Sequence, residues 1–135
     1  MKKTHKGSCH CGAVRFEFEA DLDEPGKATR CNCSICTKTM ITGSSMKPSA
    51  FKLLEGEDQL STYSWGMKIG TRHFCKHCGV QCFGTGHLAE LGGDFVSVNL
   101  NTIDDVDINA VKLLHWDGRH NNWQAGPRAE PWPMF

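Results

Sequence analysis

The chain has 135 residues, and its 15 lysines and arginines balance 15 aspartates and glutamates. That length suits one domain around one modest core, and zero net charge supplies no field to draw it to nucleic acid or a membrane surface. No run approaches the roughly 20 apolar residues a membrane span needs. The basic opening Met1-Lys2-Lys3-Thr4-His5-Lys6-Gly7 leads into no apolar stretch, unlike a secretion signal. The expected setting is therefore cytoplasmic.

Ala13-Val14-Arg15-Phe16-Glu17-Phe18-Glu19 alternates apolar and polar with period two and predicts a half-buried strand. Ser34 to Thr42 follows with a pattern that allows a short helical turn. Further strands are predicted at Phe51-Lys52-Leu53, Leu60 to Trp65, Thr71 to Phe74, Phe95 to Leu100 and Val111 to Trp116. Turn signals at Glu55-Gly56-Glu57-Asp58, Leu91-Gly92-Gly93-Asp94 and Asp117-Gly118 separate them. Ile103 to Asn109 reads as a loop or single turn. The stretch from about 121 to 135, with Pro127, Pro131 and Pro133, cannot continue a sheet interior and reads as an extended tail. No linker or repeat divides the chain. The expectation is a mainly β, single domain of short antiparallel strands spanning residues 1–135.

Eight cysteines need an account. Where thiols are kept reduced, clustered cysteines point to metal rather than to disulfides. They fall into Cys9-His10-Cys11, Cys31-Asn32-Cys33-Ser34-Ile35-Cys36 and Cys75-Lys76-His77-Cys78, with Cys82 alone. Short spacings suit zinc because a tight turn brings two sulfurs to one ion, about 2.3 Å from each. Gly12 and Gly79, each directly after a pair, permit the positive backbone angles such turns often need.

Cys9, Cys11, Cys75 and Cys78 sum to four thiolates, which fill a tetrahedron and leave no vertex for chemistry: a structural zinc. Cys31, Cys33 and Cys36 make three ligands from one segment. Three protein ligands with an exchangeable fourth is the usual arrangement of a catalytic zinc. Two zinc ions per chain are expected. In the rival reading Cys82, or one of His5, His10, His77 and His87, closes the second site, and an iron–sulfur cluster is another use of such thiols. Cys82 itself reads as an extra ligand, a redox partner or a small buried hydrophobe.

At these clusters the sequence resembles the glutathione-dependent formaldehyde-activating family, also called the GFA or centromere-protein-V-like family. The resemblance is carried by Gly7-Ser8-Cys9-His10-Cys11-Gly12-Ala13-Val14, by Cys31 to Cys36, and by Phe74-Cys75-Lys76-His77-Cys78-Gly79, framing residues 7–84. Asp117-Gly118-Arg119 looks like the family's weaker C-terminal signature. The resemblance implies a complex, mostly antiparallel β fold, a structural zinc on Cys9, Cys11, Cys75 and Cys78, and a catalytic zinc on Cys31, Cys33 and Cys36. It further implies a carbon–sulfur lyase activity that joins formaldehyde to glutathione, hence a small-molecule thiol partner. Glutathione carries two carboxylates, which Arg30, Lys38, Lys47, Lys68 or Arg72 could receive. His73 and His115 are candidate proton carriers. The other reading, suggested by the centromeric member, is a non-catalytic zinc module with two closed sites that binds a protein partner.

Overall fold

The computed structural model describes residues 1–66 and 69–135. Lys68 lies outside the described residues. Among the described residues, ten strands form two sheets. The smaller joins β1 (Lys3–Ser8), β2 (Arg15–Ala20) and β5 (Phe51–Glu55) in the order β1-β2-β5. The larger runs β10-β3-β4-β9-β8-β7-β6. Its members are β3 (Thr29–Cys31), β4 (Gly43–Met46), β6 (Leu60–Tyr63), β7 (Gly70–Cys75), β8 (Gln81–Leu88), β9 (Gly93–Asn99) and β10 (Leu114–Trp116). One α-helix among the described residues, α1 (Ser34–Thr39), leaves the second cysteine cluster.

Alternation decides which faces meet. Phe16 and Phe18 of β2 point inward and are fully buried, while Arg15 and Glu19 on either side of them are exposed and Glu17 between them is half-buried. Phe16 packs on Phe51 and Phe83, and Phe51 on Phe83 at a ring separation of 4.7 Å, so the two sheets share one aromatic core. Burying one such ring is favourable by roughly 1.5–3 kcal/mol. On β9, Val96 and Val98 turn to this core. Phe95, Ser97 and Asn99 turn the other way and line a cavity.

Every predicted strand is present, with shifted ends. The last begins only at Leu114, three residues later than the apolar run suggests. It pairs in parallel with β3, Leu114 opposite Thr29 and Trp116 opposite Cys31, in a sheet that is otherwise antiparallel. Four strands, β1, β3, β4 and β8, are additional to the sequence reading. Within the tail, Arg128 bridges back to His115 and a 3-10 turn forms at Trp123–Ala125. No described helix is long and apolar enough to cross a membrane.

Candidate metal centres and the adjoining cavity

The thiols of Cys9, Cys11, Cys75 and Cys78 converge, with all four sulfurs within 4.8 Å of one another. Cys9 and Cys11 come from the loop between β1 and β2, whereas Cys75 ends β7 and Cys78 follows in the turn to β8. Gly12 and Gly79 hold φ of 83° and 76° just past each pair, which lets the chain reverse at once. The Val14 N–H donates to Cys9 Sγ at 3.3 Å and the His77 N–H to Cys75 Sγ at 3.4 Å. Backbone donation from Cys78 and His77 holds the Cys75 thiol below its ordinary range, because a hydrogen bond to sulfur favours the thiolate. Sulfurs at the corners of a tetrahedron around zinc stand about 3.8 Å apart. The Cys9–Cys11 and Cys11–Cys75 separations are both 3.6 Å, so the donor set fits such an ion.

Cys31, Cys33 and Cys36 form a second group, also within 4.8 Å. Cys31 closes β3, Cys33 is the N-cap of α1, and Cys36 sits in its first turn. The Thr37 N–H donates to the Cys33 carbonyl at 2.9 Å and fixes that turn. Thiol hydrogen bonds from Cys31 and Cys36, aided by the charge of Arg72, hold Cys33 down at about 2, while Cys33 and Cys36 push Cys31 far up. Three thiolates this close repel one another, so their ionisation is mutually opposed. A divalent ion would let all three ionise, which is why this donor set suits a metal.

The segment between the ligands is clamped from far along the chain. Asn32 donates from Nδ2 to Asp117 Oδ1 at 2.8 Å and accepts at Oδ1 from the Arg119 N–H at 2.9 Å. Arg119 Nε donates to the Asn32 carbonyl at 2.9 Å. Asp117 is buried, 5% exposed. Burial would raise its carboxyl, but hydrogen bonds from Asn32, His120 and Asn122 outweigh that and hold it below the usual carboxylate range. Gly118 completes the clamp, since a Cβ there would stand 2.5 Å from Cys31 Sγ and 2.7 Å from the Trp123 ring. Asp117-Gly118-Arg119 thus wraps the three-thiol segment, a role its sequence alone does not disclose.

Cys31, Cys36 and Ile41 also separate two concavities. The larger, about 500 Å³, is floored by the outward faces of β4, β7, β8 and β9 and edged by Trp65, Ile69 and Arg72. The smaller, about 210 Å³, lies under the tail, between His115, Trp116, Trp132 and Met134. Trp132 donates from Nε1 to the His115 carbonyl at 2.8 Å and stacks against Arg128, so the tail is tied down there.

No histidine joins the three-thiol group among the described residues. His5 faces Asp105, His77 bonds Gln59, His87 bonds Asp94, and His10 is exposed. Cys82 is fully buried beside the four-thiol group and outside it. Burial pushes its thiol up to about 12, so it packs as a small neutral hydrophobe. All eight cysteines are free thiols. Of the cations considered for a carboxylate, Arg72 lines the larger cavity and Arg30 the smaller, where it donates to Thr42 Oγ1 at 2.9 Å. Lys47 donates to the Gly92 carbonyl and Lys38 is exposed on α1. His73 stacks on Phe83 and bonds Thr85; His115 lies in the smaller concavity.

Fold and site together define a mainly β protein with two thiol groups able to hold metal and a ligand-sized cavity against one of them. The model of the glutathione-dependent formaldehyde-activating enzyme family matches residues 4–117, and the chain belongs to that family. It is 38% identical over 81 residues to a Halomonas elongata protein named "Putative glutathione-dependent formaldehyde-activating enzyme". That match takes in 54% of this chain and 50% of the relative, so it spans half the relative's length. A crystal structure of a Rhodobacter sphaeroides protein shares the fold with a TM-score of 0.66 at 24% identity, covering 95% of this chain and 99% of that one.

Proposed function

We propose that the chain is a zinc-dependent enzyme of the carbon–sulfur lyase type, acting in the cytoplasm on the adduct of a glutathione-like thiol and an aldehyde. The observation that carries this is the position of the three-thiol group. Cys31 and Cys36 form part of the wall of the 500 Å³ cavity, whose size suits a small-molecule ligand. The four-thiol group lines neither concavity. In this reading Cys9, Cys11, Cys75 and Cys78 hold a structural zinc, and Cys31, Cys33 and Cys36 hold the functional one. The family name supports glutathione and formaldehyde as the reactants.

A zinc ion bound by three thiolates would supply acidity and positioning to a substrate thiol, being too electron-rich to favour water activation. The chain's own residues do the rest. Trp65, Ile69, Phe95 and Ile41 offer apolar surface for the thiol's carbon chain, while Ser45, Ser97, Thr85, Gln81 and Asn99 offer hydrogen bonds to its amides. The Asn32–Asp117 clamp keeps the ligand segment in one shape, so the sulfurs need no reordering before reaction. The exposed Trp65 and Ile69 edge this same cavity, which favours the enzyme over the interaction module.

The test is synthesis of the hydroxymethyl thioether from glutathione and formaldehyde by protein of measured zinc content, compared with Cys33→Ser. Activity that follows the second zinc supports the proposal. Equal rates with and without Cys33 contradict it.

A further inference from the structure

Arg72 is the one charged side chain among the described residues of the larger cavity. Its Nη2 stands 3.5 Å from Cys36 Sγ, and its guanidinium carbon lies 5.3 Å from the centre of the Trp65 ring. No carboxylate pairs with it among the described residues. Nη2 donates to Cys36 Sγ, and stacking on an aromatic face leaves the other in-plane N–H donors available. The strand β7 fixes its backbone, with Arg72 opposite Tyr63 on one side and Gly84 on the other.

Two anions could meet these donors: a carboxylate of the thiol, or the oxygen of the aldehyde as it is attacked. Distance separates them. The nearer carboxylate of glutathione lies roughly 7 Å from its sulfur along an extended cysteinyl-glycine backbone. The aldehyde oxygen is bonded to the very carbon the sulfur attacks, about 3 Å from that sulfur in a reactive pose. Arg72 reaches the metal-site thiols themselves at Cys36 Sγ, the end of the cavity where the attacked carbon would stand, which favours the second.

We infer that Arg72 is a catalytic residue, the donor that receives the negative charge on the carbonyl oxygen when a thiolate adds to an aldehyde. This rests on the function proposed above. In the step, a sulfur lone pair forms the C–S bond and the C=O π pair moves onto oxygen. Arg72 donates a hydrogen bond to that oxyanion. A solvent proton, equal to the one the thiol released on ionising, then completes the alcohol. Arg72 serves only as a hydrogen-bond donor and transfers no proton. In the reverse direction the same contact stabilises the alkoxide from which the thiolate departs.

Steady-state kinetics with glutathione and formaldehyde on wild type, Arg72→Met and Arg72→Lys, with zinc per chain measured on each, test this. The expected result is a fall in kcat of about 10²–10³-fold in Arg72→Met, the loss typical of an oxyanion donor. The KM for glutathione and the zinc content stay unchanged, and Arg72→Lys recovers part of the rate. A raised KM for glutathione at unchanged kcat would make Arg72 a carboxylate anchor and overturn the inference. So would loss of one zinc with normal activity per remaining site, which would make it a charge-balancing residue. An active wild type with an unaffected Arg72→Met overturns the inference alone, whereas a zinc-loaded but inactive wild type overturns the function beneath it as well.

Discussion

Cys11 and Cys75, which meet at 3.6 Å, are separated by 64 positions in the chain, while Cys31, Cys33 and Cys36 come from one short segment. The first group joins the β1–β2 loop to the end of β7 and so ties the smaller sheet to the larger. Two of its members, Cys9 and Cys75, are buried in the core. The second group joins nothing distant through its own thiols. It lies at the edge of a cavity and is kept in shape by hydrogen bonds from Asp117 and Arg119. A metal in the first place closes a long loop and would add directly to folding free energy. A metal in the second place would find its ligands already assembled, and its loss should leave the two-sheet core intact. Donor count and chain separation thus both support the proposal that one group serves folding and the other chemistry.

The largest expected contrast is between Cys78→Ser and Cys33→Ser. Cys78→Ser should lose the cooperative thermal transition, because it breaks the tie between the sheets. Cys33→Ser should keep that transition and lose only the second metal. Equal structural loss in both, seen by circular dichroism, would dissolve the distinction between the groups.

Next in size is Gly118→Ala. Its new Cβ would collide with Cys31 Sγ and the Trp123 ring, so the variant should drop the second metal while retaining the first. Two metals at wild-type affinity would mean that the loop can move aside and that close approach is not what the glycine supplies.

Asp117→Asn and Asn32→Ala should act more gently. Partners that orient metal ligands typically alter metal affinity by 10–100-fold, so chelator competition should show the second metal weakened within about that range and the first unchanged. Weakening of both would mean that the clamp supports the whole fold instead.

The smallest effect concerns pH. Burial holds His73 below its ordinary value, and burial followed by the charges of Arg30 and Arg128 does the same to His115. Protonation of each is therefore disfavoured in the folded state. Their contribution to stability is complete above about pH 6.5 and declines as pH falls through that value towards the folded pKa. Proton NMR titration should place both midpoints below 6.5, and a midpoint above it for either ring would contradict its described surroundings.

Where the sequence was readable follows a physical rule. The strands packed on the core at both alternate positions, such as Phe16 and Phe18 of β2 or Val96 and Val98 of β9, announce themselves by period two. The floor of the cavity does not. Strand β4 reads Gly43-Ser44-Ser45-Met46, and β8 carries Gly84, Thr85 and Gly86, so small and polar residues stand where an apolar alternation would mark a strand. Those residues leave room for the cavity, and the same choice hides the strands. The parallel partner of β3 was similarly obscured, because only Leu114 to Trp116 of a longer apolar run enters the sheet. The cysteine clusters are legible from spacing, and the joining of Cys9 and Cys11 to Cys75 and Cys78 across 64 positions follows from the count of four thiolates that fill one tetrahedron. Two features were not: the contact of Asn32 with Asp117, and the placing of Arg72 against Cys36, 36 residues distant. Nothing local in the chain encodes either one.

The most direct test of the central claim is zinc release to a chelator, followed with and without glutathione, on wild type and Cys33→Ser. Two zinc ions are expected in the wild type and one in the variant, with glutathione slowing loss of the second ion only. Two ions whose release glutathione never alters, or iron in their place, would contradict an open thiol-binding centre at Cys31, Cys33 and Cys36.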